Sequence, residues 1–122
     1  MGDLSQNFSR REFRCKCQGC DEDDISLELV EALEKVRVLY GRAIYITSGV
    51  RCKEHNKICG GKSDSSHLTG HAVDIGCANS TQRYGLVSLL VNYFNRVGIG
   101  QDFIHIDLDP DPNKNKEVMW LY

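Results

Sequence analysis

Residues Ser65–Ile75 have the sequence SSHLTGHAVDI, and this stretch decides how we interpret the rest of the chain. His67 and Asp74 lie seven positions apart in it, and imidazole nitrogen and carboxylate oxygen are both good zinc ligands. A straight helix would hold the two side chains about 10 Å apart along its axis. An extended strand would hold them roughly 23 Å apart on opposite faces. Binding of one metal ion by both residues therefore requires the backbone to reverse between them.

Gly70 is the residue that permits this reversal, because glycine adopts a positive φ without steric cost. We therefore predict a loop or short strand carrying His67, a turn at Gly70, and a strand Ala72–Ile75 carrying Asp74.

The candidate third ligand is His105, since a catalytic zinc site needs three protein ligands and an open position. The segment Phe103–Leu108 (FIHIDL) alternates in the way that predicts a strand. Its aliphatic side chains would face the core, while Phe103, His105 and Asp107 would share the other face. His105 could instead lie at a surface-facing strand edge, but the His67/Asp74 turn favours the metal interpretation.

These residues together form a pattern that resembles a known family. The pattern is Ser65-x-His67-x-x-Gly70-x-Ala72-x-Asp74, followed downstream by Asp102-x-x-His105. It resembles the zinc D-Ala-D-Ala carboxypeptidase family, which includes bacterial and phage enzymes that cut peptidoglycan cross-link peptides. The run Ile46–Asn56, with Gly60 and Gly61 after it, resembles the small phage-type members.

The resemblance extends from about Phe8 to Leu108. It implies the α+β fold shared with the hedgehog signalling domain: a small, mainly antiparallel sheet with packed helices and a zinc cleft on the sheet. Val50 departs from the pattern, because relatives more often carry an aromatic residue there. That position belongs to the cleft wall and leaves the metal ligands unaffected.

Two carboxylates are candidates for the general base that hydrolysis needs. The family's acid-x-x-His pattern matches Asp102, which we predict to be the catalytic base. Asp107 shares the strand face of His105, about 7 Å along the strand. We predict that it orients a histidine ligand of the metal, with the base role as its alternative.

Arg51 and Ser65 are the candidate substrate-binding residues. Arg51 follows a predicted strand, where its guanidinium would stabilise an oxyanion or hold a substrate carboxylate. Alternatively, it is an exposed residue at the start of a short helix. Ser65 would contribute a hydroxyl to substrate binding or to the support of the metal ligands, or would simply cap the loop.

The predicted function is hydrolysis of peptide bonds in peptidoglycan stem or cross-link peptides by a zinc metallopeptidase. The pattern does not separate a D,D-carboxypeptidase from an endopeptidase. The alternative is a non-catalytic binding module that keeps the zinc, as the hedgehog domain does. The presence of acids near the candidate metal site favours the enzyme.

Composition excludes several other classes of protein. The 122 residues suit one domain, 1–122. A net charge of -2 and the lack of a basic stripe argue against nucleic acid as a partner. We find neither an apolar run long enough to cross a membrane nor a signal peptide at the N-terminus. We therefore expect the protein to be cytoplasmic as synthesised, and we also expect it to be a monomer. This localisation fits a phage lysis protein or prophage product that reaches the cell wall by assisted release.

Six cysteines without a secretion signal indicate reduced thiols or a metal site rather than a disulfide framework. Cys15, Cys17 and Cys20 could supply three ligands of a second, structural zinc site. The fourth would be one of Cys52, Cys59 and Cys77. Because C-x-C-x-x-C is a weaker signal than two spaced C-x-x-C pairs, the sequence favours buried or idle thiols.

Apolar periodicity predicts the elements that support the site. A helix of about 14 residues should begin after Ser26 and end at Gly41. A strand should cover Ala43–Thr47. A second long helix, capped by Ser80 or Thr81, should continue to Val97 and end at Gly98. Glu117–Tyr122 should form the last strand, with Trp120 closing the sheet or the cleft.

Overall fold

The computed structural model describes residues 2–122. Five strands form one sheet: β1 (Ile46–Ser48), β2 (Ala72–Gly76), β3 (Arg96–Ile99), β4 (Phe103–Asp107) and β5 (Val118–Leu121). The α-helices are α1 (Leu27–Tyr40), α2 (Lys53–Ile58) and α3 (Ser80–Leu90). Two short 3-10 helices span Arg10–Phe13 and Ser66–Thr69.

The strand order in the sheet is β1-β2-β4-β3-β5. Neighbouring strands are antiparallel except β3 and β5, which are parallel. The predicted fold class, α+β with a mainly antiparallel sheet, is therefore confirmed. The central pair, β2 and β4, places Asp74 directly opposite His105.

Alternation along the central strands separates the core from the cleft. Val73 and Ile75 of β2 and Ile104 and Ile106 of β4 are fully buried, and they pack in the same core as α1 and α3. Because successive side chains of a strand point to opposite faces, the residues between them face away from the helices. Asp74 on β2 and Phe103, His105 and Asp107 on β4 lie on this second face and line a cleft.

Helix α1 confirms the predicted 14-residue helix. The hydroxyl of Ser26 accepts a hydrogen bond from the Leu29 N–H at its start, which satisfies one of the free N–H groups of the first turn. Gly41, with φ of 72°, ends the helix in the left-handed conformation.

The second long helix is shorter than predicted, and its cap is Asn79 rather than Ser80 or Thr81. It ends at Leu90, while Val97 and Gly98 belong to strand β3. Val97 is buried as expected, but it reaches the core from a strand that pairs with β4. The apolar stripe of a helix and the inner face of a strand both bury such residues, so periodicity alone did not separate the two. At Gly98 an added Cβ would lie 2.7 Å from the Trp120 ring, so this strand packs directly under the indole.

The remaining strands differ from the predictions only in their ends. β1 spans Ile46–Ser48 instead of Ala43–Thr47, and β5 spans Val118–Leu121 within the predicted Glu117–Tyr122. Across residues 2–122, no helix combines the length and apolar character that crossing a membrane requires.

Candidate metal centre

His67 is held by the turn that the sequence predicted, although its backbone is a 3-10 helix rather than a loop or strand. The Ser65 hydroxyl accepts from the His67 N–H at 3.2 Å. Gly70, with φ of 75°, ends the turn, and an added Cβ there would lie 2.1 Å from the Asp24 carbonyl oxygen. The tight turn therefore needs glycine for both its conformation and its packing.

A backbone carbonyl determines which nitrogen of His67 faces the cleft. Nδ1 of His67 lies 2.7 Å from the carbonyl oxygen of Gly49. A carbonyl oxygen only accepts, so Nδ1 carries the proton and donates it. In the neutral ring, Nε2 is then left with its lone pair, and it lies 3.2 Å from Oδ1 of Asp74.

His105 is arranged in the same way with its nitrogens exchanged. Its Nε2 lies 2.8 Å from Oδ2 of Asp107, and its Nδ1 lies 3.0 Å from Oδ1 of Asp74. The Asp107 carboxylate accepts from Nε2–H, which leaves Nδ1 as the lone-pair nitrogen of the neutral ring. Metal-bound histidines commonly donate their other N–H to a carboxylate or a backbone carbonyl, and both partners are present here.

Three electron-rich atoms thus converge on one point. Nε2 of His67, Oδ1 of Asp74 and Nδ1 of His105 lie within 4.8 Å of one another, and all three residues are buried. Two imidazole lone pairs facing a carboxylate oxygen repel it unless positive charge lies between them. Protons on the rings or a metal cation can supply that charge. Two imidazoles and one carboxylate are a donor set that zinc accepts, so the residues fit a zinc ion.

The pKa values of Asp74 and His105 reflect this demand for positive charge. Burial by itself raises the pKa of Asp74, but hydrogen bonds with His105 and His67 outweigh it and hold that pKa well below its usual value. Burial likewise lowers the pKa of His105, but its hydrogen bonds with Asp107 and Asp74 outweigh this and raise that pKa. A metal ion would therefore compete with protons for the same positions.

Arg51 lies at the edge of this centre, and three side chains hold its guanidinium. Nε donates to the Ser48 hydroxyl at 3.0 Å and Nη1 donates to Asn56 Oδ1 at 3.3 Å. Nη2 lies 3.2 Å from Oδ2 of Asp74, the carboxylate oxygen that does not face the histidines. Gly61 lets Asn56 approach, because an added Cβ would lie 2.1 Å from Asn56 Oδ1.

Asp107 is fully buried, and both of its carboxylate oxygens are engaged. Oδ2 accepts from His105, while Oδ1 accepts from Nε of Arg96 at 2.9 Å and from the Asp109 N–H at 3.3 Å. The Arg96 guanidinium also stacks 5.1 Å from the centre of the Trp120 ring. Asp107 therefore supports His105 through one carboxylate oxygen and pairs with Arg96 through the other.

The centre opens into a cleft of about 810 Å³. Its lining includes the loop around Ser65, with the ammonium of Lys114 against Ser66, and the rings of Trp120 and Tyr122. The His105 ring lies 5.4 Å from the Trp120 ring, centre to centre. A substrate in the cleft would meet aromatic surface beside the candidate metal ligands. The cations that line the cleft are each paired with a carboxylate: Arg51 with Asp74, Arg96 with Asp107 and Lys114 with Asp109.

Comparison with known families agrees with this geometry. The family model for peptidase M15 matches residues 6–107, which is most of the chain. The chain belongs to the M15 peptidase family. The predicted family is therefore confirmed, and the protein is a zinc-dependent peptidase. No curated protein matches the chain.

In this M15 peptidase, the structure brings together most of the residues singled out from the sequence. His67, Asp74 and His105 converge, while Arg51 and Ser65 line the cleft. Asp107 contacts His105 as expected of an orienting residue.

Asp102 is placed differently from the other predicted residues. It is exposed, and it is not among the residues that line the cleft. Its carbonyl oxygen accepts from the Cys77 N–H at 2.9 Å, at the end of β4 away from Asp107. Its role as the base therefore rests on the acid-x-x-His pattern, without support from its position here.

Two residues of the M15 peptidase site escaped the sequence analysis. Arg96 was assigned to a helix, so its position opposite Asp107 on β3 was not visible. Tyr122 was placed in the last strand without a role, but it lines the cleft. The alternation in Arg96–Ile99 was the signal that could have placed Arg96 on a strand. Four residues were too few to outweigh the helical stripe that precedes them.

The cysteines of the M15 peptidase are all free thiols. Cys15, Cys17, Cys20 and Cys52 place their sulfur atoms within 4.8 Å of one another. Cys59 is exposed and Cys77 is buried, and neither belongs to this group. The sequence favoured buried thiols or thiols without a function. The fold instead brings four cysteines together, and the fourth member of the group is Cys52.

Proposed function

We propose that this M15 peptidase hydrolyses peptide bonds in peptidoglycan stem or cross-link peptides. The observation that carries the proposal is the guanidinium of Arg51, which lines the cleft beside Asp74. Stem peptides carry free carboxylates, and arginine binds carboxylates with two parallel hydrogen bonds. The family match supports the peptidase chemistry, and the Arg51 guanidinium supports a substrate that carries a carboxylate.

Zinc would be held by His67 through Nε2, Asp74 through Oδ1 and His105 through Nδ1. Its contribution is Lewis acidity, which activates water and polarises the scissile carbonyl. The hydrogen bonds from His67 to Gly49 and from His105 to Asp107 keep both rings in the tautomers that present these atoms. Arg51 already has its donors aimed by Ser48 and Asn56. It is therefore preorganised to stabilise the oxyanion that forms when the carbonyl is attacked.

Of the two carboxylates considered as the base, Asp107 is engaged through both oxygens and fully buried. We therefore keep Asp102 as the proposed proton acceptor and Asp107 as the group that positions His105. The role requires the bend before β4 to bring Asp102 over the cleft when substrate binds. Hydrogen bonds of catalytic groups are often long or absent before substrate is present.

The deciding experiment is mass spectrometry of purified peptidoglycan fragments after incubation with the zinc-loaded protein. New fragments that lack a terminal D-alanine would identify a D,D-carboxypeptidase. Fragments from cleaved cross-links or from the interior of the stem would identify an endopeptidase. If all fragments keep their masses while the protein holds its zinc, the chain acts as a non-catalytic zinc-containing module instead.

A pair of synthetic stem peptides sharpens the test, one with a free carboxylate at its C-terminus and one with an amide. A carboxypeptidase that holds the carboxylate through Arg51 should cut only the first. An endopeptidase should cut both. Replacing Arg51 by Lys keeps the charge but loses the bidentate geometry, so it serves as the matched variant.

A further inference from the structure

We propose that Cys15, Cys17, Cys20 and Cys52 form a second metal site that binds a structural zinc ion. The four residues come from two distant parts of the chain, since three lie in the loop before α1 and Cys52 lies at the start of α2. Folding nevertheless brings their sulfur atoms within 4.8 Å of one another. Tetrahedral sites with four cysteine ligands are a common form of structural zinc site.

The spacing of the sulfur atoms suits one shared ion. Zinc–sulfur bonds of about 2.3 Å in a tetrahedron place neighbouring sulfurs about 3.8 Å apart. The Sγ atoms of Cys52 and Cys17 lie 3.8 Å apart, and those of Cys17 and Cys20 lie 3.2 Å apart. Cys15 is buried while the other three are partly accessible, which gives an ion a way in from solvent.

Backbone N–H groups already point at two of the sulfurs. The Cys52 N–H donates to Sγ of Cys15 at 3.4 Å, and the His55 N–H donates to Sγ of Cys52 at 3.4 Å. Both contacts help to fix the position of the sulfur that accepts the hydrogen bond. The loop that supplies the other cysteines is closed by a hydrogen bond of 2.7 Å from the Cys15 N–H to the Glu22 carbonyl. Both ligand segments are therefore held in place by backbone contacts.

The proposed site lies directly beside the segment that carries Arg51. Gly49 accepts from His67, and the Val50 N–H donates to the Phe13 carbonyl at 2.8 Å. The Arg51 N–H donates to the His67 carbonyl at 3.0 Å. Cys52 follows immediately, so a metal at the cysteines would tie this segment to the N-terminal loop. Its expected role is to keep Arg51 and the Gly49 carbonyl in position, at a distance from the reacting atoms.

A disulfide is the competing fate of such close thiols. It would consume two of the four sulfurs and release no metal on denaturation. Elemental analysis and thiol counting of the native protein, purified in reducing buffer, distinguish a zinc site from a disulfide. We expect two zinc equivalents per chain, and four thiols that a colorimetric reagent reaches only after a chelator is added. One zinc equivalent together with two missing thiols would overturn the proposal.

Cobalt substitution tests the ligands without any mutation. Apoprotein reconstituted with two equivalents of Co²⁺ should show a sulfur-to-cobalt charge-transfer band in the near ultraviolet, because thiolates bind the second ion. The band should persist in an Asp74→Ala variant, which loses only the ion at the histidine centre. A spectrum of the protein loaded with both equivalents of Co²⁺ that lacks this band would overturn the proposal. The proposed peptidase function depends on the ion at the histidine centre. If that proposal failed, the charge-transfer band of the cysteine site would be unchanged.

Substitutions then assign the residues. The Cys17→Ser/Cys20→Ser variant should lose one zinc equivalent and keep the other, whereas the control Cys59→Ser should keep both. Circular dichroism checks that each variant is folded. If the double variant is folded and still holds two equivalents, the four cysteines are not the site.

Discussion

Nε2 of His105 lies 2.8 Å from Oδ2 of Asp107, two residues further along the same strand. Residues i and i+2 of a strand share a face, so one short segment carries both a candidate ligand and the group that orients it. Arg96, on the neighbouring strand, neutralises the same carboxylate. This arrangement holds the Asp107 carboxylate in place and presents Nδ1 of His105 to the centre.

Asp107→Asn tests this relationship. The amide keeps the size of the side chain but loses the negative charge that orients His105 and balances Arg96. We expect zinc affinity to fall by about 10–100-fold, as for other groups that support a metal-bound histidine. Activity should recover in part when zinc is in excess. The measurement is zinc titration with a chromophoric chelator, together with turnover at low and saturating zinc.

Asp102→Asn should behave in the opposite way. The variant should keep its zinc and bind substrate with little change, but its turnover should fall by ~100-fold or more, which is what general-base catalysis contributes. If Asp107→Asn is inactive at saturating zinc while Asp102→Asn stays active, the roles of the two carboxylates are exchanged. Activity in both variants would rule out either carboxylate as the base.

Removing a candidate ligand should remove one zinc. His67→Ala and Asp74→Ala each break the group of three donors, and both variants should lose the zinc at the histidine centre and all turnover. The zinc at the cysteines should remain. His71→Ala is the matched control, since His71 belongs to the same turn but not to the candidate ligands. Zinc content equal to that of the unmutated protein in both ligand variants would contradict the assignment.

Arg51→Lys separates charge from geometry. Lysine cannot reproduce hydrogen bonds to Ser48, Asn56 and Asp74 at the same time. We expect zinc content to be unchanged and kcat/KM to fall by roughly 10²–10³-fold, the cost of losing a preorganised oxyanion donor. Steady-state kinetics on a stem peptide provides the measurement. Kinetics equal to those of the unmutated protein would place Arg51 outside the reaction.

Glu34 links α1 to the N-terminal segment and makes stability depend on pH. Its carboxylate accepts from the Ser5 hydroxyl at 2.6 Å and from the Asn7 backbone and side-chain N–H groups at 2.7 and 2.6 Å. Burial raises the pKa of Glu34, but these hydrogen bonds outweigh it and the pKa in the folded protein is lowered. The stabilisation is therefore complete above the unfolded value of about 4.3 and is lost as the pH falls through the lower folded value.

Glu34→Gln should cost about 1–2 kcal/mol of unfolding free energy at neutral pH, because the charged acceptor is lost. The difference from the unmutated protein should shrink as the pH falls below 4. Urea denaturation at several pH values measures it, with the exposed Glu31→Gln as control. A difference that stays constant with pH would show that the charge of Glu34 is not the cause.

Local patterns in the sequence determined many of this protein's structural elements and its candidate metal ligands. The alternation in Phe103–Leu108 and the glycine between His67 and Asp74 are short-range signals, so the strand, the turn and the three candidate ligands were visible without coordinates. The capped helix ending at Gly41 was equally local. The family motif then indicated the fold class, because its spacing extends over most of the chain.

Tertiary structure alone decided which distant residues meet. Val97 suits a helix stripe and a buried strand equally well, and only pairing with β4 made it a strand and brought Arg96 to Asp107. Likewise, the sequence offered Cys52, Cys59 and Cys77 as partners of three cysteines, and the packing of residues 49–52 against Phe13 and Cys15 selected Cys52. The exposed position of Asp102 was equally invisible, since the direction of a side chain in a bend depends on the bend's contacts. Periodicity reports which face of an element is buried, whereas the identity of the neighbour follows only from the packed fold.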